Sequence, residues 1–229
     1  MVIILMQAKY ANPMKKKIVI LISGRGSNMQ SILDANVDCE IAAVISNRPG
    51  AGGLSIAAAR GVPTAVLDHK MFANRASFDL ALAQEIRAFA ADFILLAGFL
   101  RMLSAEFVDA FAGKIINIHP SLLPSFPGLA THEQALAAGV KIHGCTVHVV
   151  TAALDHGPIL AQAAVPVFAT DDVASLGARV LAQEHKLYPQ VLKWLCAGKM
   201  PLNHINSQNY VVLAGAACVN NACLVQPEE

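Results

Sequence analysis

Apolar runs and amphipathic stretches alternate along the first half of the chain. Ile18 to Ile22 is an unbroken, largely β-branched run that stops at Ser23-Gly24-Arg25-Gly26, and Ser27 to about Ala35 follows with helical spacing. That pattern predicts strand, tight turn, helix. It recurs: Glu40 to Ser46 reads as a strand ending in Asn47-Arg48-Pro49-Gly50, and Leu54 to Arg60 as a helix stopped by Gly61. Thr64 to Leu67 is a short strand, Ala76 to Ala90 a helix, Phe93 to Ala97 a strand, Ser104 to Phe111 a helix and Lys114 to Ile118 a strand.

Strands buried on both faces read as continuous apolar runs, and these do. The first half is therefore expected to be α/β: a doubly wound, mostly parallel sheet with helices on both sides. Ligands of such sheets bind beyond the carboxyl ends of the strands. That rule singles out Ser23–Gly26, Gly98–Leu103 and Asn117–Pro120.

The second half opens with a proline-rich loop, Pro120 to Pro127. Thr131 and Gln134 have capping-box spacing for a helix reaching about Ala138. His143 to Val150 and Ile159 to Val165 read as strands flanking the turn Leu154-Asp155-His156-Gly157-Pro158, consistent with antiparallel pairing here. Val173 to about Ala197 is a long helix with Thr170, Asp171 and Asp172 at its N-terminus. Tyr210–Leu213 and Cys223–Val225 could form a terminal hairpin. The expected organisation is an N-terminal extension (1–13), one domain (14–202) and a C-terminal tail (203–229), with Met14 as a second candidate start.

Composition narrows the class. Of 229 residues, 55% are apolar and 14% charged, which fits a globular core and not a disordered chain. The formal net charge of +1 gives no reason to expect nucleic acid or an anionic membrane as partner. The apolar start Met1 to Met6 is short for a signal-peptide core, and Phe93–Leu100 falls well short of the ~20 residues of a membrane helix. The five cysteines, Cys39, Cys145, Cys196, Cys218 and Cys223, form no C-x-x-C pair. Neither a zinc site nor a disulfide framework is expected, and unpaired thiols fit a reducing, cytoplasmic setting. Oligomeric state is not legible, and a homodimer stays open.

Three places carry candidate chemistry. The Ser23–Asn28 turn into a helix N-terminus offers backbone N–H groups to an anion. Taken alone, its glycines are equally compatible with a purely structural turn. Met29 stands where a third dinucleotide-binding glycine belongs, and no acid ends the second strand. A Lys-Ser or Lys-Thr P-loop ending is missing too, so a monophosphate ester is what remains. Asn117 and His119 share one side of the fifth strand by alternation. An amide and an imidazole aimed together could hold an oxyanion. Asp155 is either a local turn cap or, if its turn folds back, a partner to His119 that favours the imidazolium.

Read in order, Ile22 to Gln30, Leu96 to Leu103, Asn117 to Pro124 (Asn-Ile-His-Pro-Ser-Leu-Leu-Pro), Val150 to Ile159 and Gln183 to His185 resemble the signatures of the glycinamide ribonucleotide formyltransferases, within the wider folate-dependent group. The likeness runs from about Lys17 to Pro201. It implies a Rossmann-like formyltransferase fold and transfer of a formyl group from 10-formyltetrahydrofolate, the co-substrate, to the amine of glycinamide ribonucleotide, without a metal. It further implies that Gly26, Ser27, Asn28, Gln183 and Glu184 bind the ribonucleotide. Arg75, Leu100, Arg101, Met102, Leu103, Asn117 and the segment Thr151, Ala152, Ala153, Leu154, Asp155 would bind the folate. Asn117, His119 and Asp155 would be catalytic. Arg25, Ala130 and His156 depart from the usual pattern.

Two other readings stay open: a hydrolase of the formyl donor, and a non-catalytic nucleotide- or folate-binding module. Such hydrolases carry an N-terminal regulatory domain, whereas about sixteen residues precede the first strand here. A tRNA-formylating enzyme is disfavoured by the neutral charge. Retention of Asn117, His119 and Asp155 together weighs against a module.

Overall fold

The structure, a computed structural model, describes residues 15–200 and residue 202. The proposed extension, the tail, its hairpin and Cys218 and Cys223 lie outside the described residues. A seven-stranded sheet has the order β3-β2-β1-β4-β5-β6-β7. Its strands are β1 (Lys17–Ile22), β2 (Glu40–Ser46), β3 (Thr64–Val66), β4 (Phe93–Leu96), β5 (Ile115–His119), β6 (Ile142–Val149) and β7 (Ile159–Pro166). β1 to β5 pair in parallel, β6 is antiparallel to β5, and β7 to β6. The expected parallel sheet with antiparallel later strands is the observed one.

The helices are α1 (Ser27–Asp34), α2 (Gly52–Ala59), α3 (Arg75–Ala88), α4 (Ala105–Ala110), α5 (Thr131–Ala137) and α6 (Val173–Cys196). Alternate residues of β1 go to opposite faces. Ile18, Ile20 and Ile22 pack with Met29 and Ile32 of α1 and with α6, whereas Val19 and Leu21 pack with Phe78 and Leu82 of α3 and Phe107 of α4. Full burial of each such side chain is worth about 1.5–3 kcal/mol, and this two-sided demand makes the runs unbroken.

α6 is capped by Asp172, whose side chain accepts from Ser175 N–H while the Ser175 hydroxyl oxygen accepts from Asp172 N–H. Its Tyr188 is fully buried and the hydroxyl lies 2.9 Å from the Ile116 carbonyl and 3.3 Å from that of Leu96. One phenol thus pins α6 to the ends of β4 and β5.

Two sequence readings need correction. Thr131 and Gln134 form no capping box. α5 is entered through Ala130 in the left-handed region (φ 56°), Thr131 Oγ1 donates to Pro120 O, and Gln134 Nε2 to Leu129 O. The loop that reverses the chain outweighs the local capping pattern. β5 also runs one residue further than its apolar run, through His119, because His119 still pairs with Thr146 of β6.

Candidate active site

β5 and β6 build the centre of the site. Asn117 lies opposite His148 and His119 opposite Thr146, so side chains of both pairs leave the sheet on one face. His119 Nε2 is 3.0 Å from Phe126 O, and a carbonyl only accepts, so Nε2 carries a proton. His119 Nδ1 faces Asp155 Oδ2 at 3.5 Å. The same carboxylate oxygen accepts from Gly128 N–H at 2.8 Å, and Asp155 Oδ1 is 3.8 Å from His148 Nε2. Side-chain exposures of 7% for His119, 7% for Asp155 and 2% for His148 remove most solvent screening from this group. The Val150–Pro158 turn therefore does fold back over β5.

The turn is held there by backbone fit. Asp155 is left-handed (φ 53°), a conformation an aspartate tolerates better than most residues. A Cβ on Gly157 would overlap the Val149 carbonyl, so only glycine lets the turn press this close to β6.

At the head of α1, Gly26 is left-handed (φ 76°), and a Cβ there would come within 2.8 Å of Gly53 Cα. No side chain caps α1, so its first-turn N–H groups have no side-chain partner. Asn28 Nδ2 donates to Glu184 Oε2 at 2.7 Å, a buried contact spanning α1 and α6. Burial pushes the Glu184 carboxyl above its usual value, and the Asn28 hydrogen bond opposes that. Asn28 Oδ1 is buried with no partner among the described residues.

One cavity of about 1010 Å³ joins these parts, lined by Asn28 and Glu184 and by Asn117, His119, His148 and Asp155. Leu100, Arg101, Met102 and Leu103 form a wall with Thr151, Ala152 and Leu154. Leu100 is 64% exposed, Met102 56%, Leu129 81% and Leu154 52%, an apolar rim open to a planar or aromatic ligand. The Leu100 N–H donates to Ser23 Oγ at 2.8 Å, fixing this loop to the end of β1. The Arg101 guanidinium stacks 4.5 Å from the Phe78 ring centre.

Not every expected binding residue lines this cavity. Arg75 is exposed at the start of α3, and Gly26, Ser27, Gln183 and Ala153 are not on the cavity wall. Arg25 is exposed, and His156 bonds only its own turn, Nδ1 to Leu154 O. Sequence reasoning missed His148 and Leu129. The signal for His148 was present: Thr146 and His148 are polar two positions apart, between apolar Cys145, Val147 and Val149. Among the described residues no group of three or more His, Cys, Asp or Glu side chains is arranged to hold a metal ion.

The comparisons with known proteins agree with one another. The family model described as formyl transferase matches residues 16–192. The chain is 47% identical over 190 residues to phosphoribosylglycinamide formyltransferase of Escherichia coli strain K12, covering 81% of this chain and 90% of that protein. It is 45% identical over 194 residues to the trifunctional purine biosynthetic protein adenosine-3 of Bos taurus, spanning 83% of this chain but 19% of that longer protein. Among solved structures, glycinamide ribonucleotide transformylase 1 from Symbiobacterium toebii superposes with a TM-score of 0.82 at 43% identity, covering 87% of this chain and 94% of that one.

Proposed function

This chain belongs to the formyl transferase family, and from that premise we propose that it is a phosphoribosylglycinamide formyltransferase of purine biosynthesis. It would transfer the formyl group of 10-formyltetrahydrofolate to the amine of 5-phosphoribosylglycinamide. The observation that carries the reading is one cavity whose lining brings together the polar pair Asn28 and Glu184, the apolar side chains of Leu100, Met102, Leu129 and Leu154, and the group Asn117, His119 and Asp155. A cleft of that form takes two reactants at once and supplies the proximity that a bimolecular transfer needs.

In this reading the first-turn N–H groups of α1, with Gly26, Ser27 and Asn28, receive the phosphate, and Gln183 and Glu184 the ribonucleotide. The apolar rim takes the folate, with Arg75 near its outer end. The substrate amine attacks the formyl carbon, and the carbonyl oxygen becomes an oxyanion held by the Asn117 amide and the His119 imidazolium. Asp155 balances that cation. The attacking amine loses a proton, the leaving folate nitrogen gains one, and the carbon–nitrogen bond to folate breaks. The proposal includes no metal, no nucleic-acid or membrane partner, and a reducing cytoplasmic setting in keeping with the free thiols of Cys39, Cys145 and Cys196.

Absorbance of the folate during turnover tests this. Deformylation that requires glycinamide ribonucleotide is expected. Deformylation without it would make the chain a hydrolase, and binding of both molecules with no turnover would make it a binding module.

A further inference from the structure

His148 plays no part in the reaction as described above, yet it is 2% exposed and lines the cavity beside Asn117. Its Nδ1 lies 3.1 Å from Val149 O, which can only accept, so that nitrogen carries the hydrogen. Its Nε2 lies 3.2 Å from Asn117 Nδ2 and 3.8 Å from Asp155 Oδ1. The first distance allows a hydrogen bond and the second does not. A neutral ring has one hydrogen, so Nε2 is a bare acceptor, and only the N–H side of the Asn117 amide can face it.

The opposite amide orientation would put Asn117 Oδ1 against Nε2 and require a second ring proton. Burial opposes that charge most strongly; the Val149 carbonyl and the Asp155 carboxylate favour it, His119 opposes it, and the net direction is downward. The two amide orientations of an asparagine are nearly equal in shape, so hydrogen bonding decides between them. One hydrogen of the Asn117 NH2 then goes to Nε2 and the second stays free for an oxygen in the cavity.

We infer that His148 is a positioning residue that locks the Asn117 amide with its N–H side toward the formyl oxygen. This rests on the formyl-transfer reading for its consequence and on the geometry for its cause. Without the acceptor, the amide can turn its carbonyl oxygen toward the developing negative charge, which repels it.

Two measurements test it. Nitrogen NMR of the His148 ring in the unmodified protein at neutral pH should show Nδ1 protonated and Nε2 bare. A proton on Nε2 would overturn the inference, and this readout holds even if no formyl transfer is detected. In kinetics, His148→Phe keeps the bulk and removes the acceptor. It should lower kcat about tenfold, the worth of one hydrogen bond, with KM for both substrates within about threefold. His148→Gln offers an amide oxygen near the same place and should recover most of that loss. In an Asn117→Ala background His148→Phe should cost less than about twofold, because its only route of action is gone. An unchanged kcat, or a full tenfold cost in the Asn117→Ala background, would show that His148 does not act through Asn117. If His148→Phe fails to fold, the ring tautomer and the Gln variant decide.

Discussion

Asp155→Asn isolates the charge of the carboxylate from its shape. Asparagine tolerates the left-handed backbone (φ 53°) and can still accept from Gly128 N–H, so the turn should stay in place. What disappears is a negative charge 3.5 Å from His119 Nδ1. At an effective dielectric of about 20, a pair of unit charges at that distance interacts by roughly 5 kcal/mol, the attraction that a cationic His119 in the proposed mechanism would lose. Removing one oxyanion stabiliser typically costs on the order of 10²–10³-fold in kcat, and a comparable fall is expected here. KM for either substrate should move by less than about tenfold, because the charge matters most once the oxyanion has formed. Steady-state folate absorbance gives both constants, and thermal melting controls for folding. Asp155→Ala, which loses the acceptor as well, should melt lower than Asp155→Asn. If Asp155→Asn keeps more than about a third of the parent kcat at unchanged Tm, the charge argument fails and the residue serves only the turn.

Three further outcomes follow from the fold. Tyr188→Phe removes the hydroxyl shared by the Leu96 and Ile116 carbonyls, which keep their strand partners, and should cost about 0.5–1.5 kcal/mol in urea unfolding; an unchanged stability would show that this hydroxyl does not hold α6 to the sheet. Arg179 Nη2 and Nη1 donate to Asp171 at 2.7 and 2.8 Å, and these bonds, before that from Phe168 N–H, hold the Asp171 carboxyl well below the usual range. A carboxyl depressed in the folded state stabilises above its unfolded value of about 3.9 and ceases to as pH falls through and below that. Arg179→Met should thus lower Tm at pH 6 and flatten the loss between pH 5 and 2, and an acid loss parallel to the parent would refute the pairing. Gly157→Ala forces a Cβ into the Val149 carbonyl and should cost roughly 1–3 kcal/mol with a fall in kcat, since the turn carries Asp155; a parent-like Tm would show the turn is free to move.

How much of this was legible in sequence depended on whether the signal was local. Ile18–Ile22 and Glu40–Ser46 declare themselves because burial on both faces leaves no polar position in most of the run. The turn at Gly24 and Gly26 was visible, but its second constraint, the approach of Gly53 to Gly26, joins two segments that no local pattern connects. The capping-box reading of Thr131 and Gln134 failed for the same reason: Thr131 is claimed by Pro120 O, part of a chain reversal set by distant contacts. Asn117 and His119 could be placed together by alternation alone. That Asp155 meets His119, and that His148 lies between Asp155 and Asn117, depends on the register of β5 against β6, which sequence leaves open.

That register also explains why the cavity sits where it does. On one face of the sheet, β1, β2 and β4 are covered by α3 and α4, and the apolar cluster there takes in Ile115 of β5 but no residue of β6 or β7. β6 and β7 bury Cys145, Val147, Ala161 and Ala163 on the other face, in the cluster that includes α6. Their middle stretches are therefore apolar on that side, and Thr146, His148 and Gln162 lie on the other. Buried polar groups need partners, and here loops supply them. Thr146 Oγ1 donates to Ser121 O and accepts from Leu123 N–H and Gln162 Nε2. Those bonds fasten the start of the Pro120–Ala130 loop, which presents Phe126 O to His119 and Gly128 N–H to Asp155. The change from strands apolar on both faces to strands with a polar face is thus what leaves a polar surface under a tethered loop, and the side chains proposed to react, Asn117 and His119, stand on that surface.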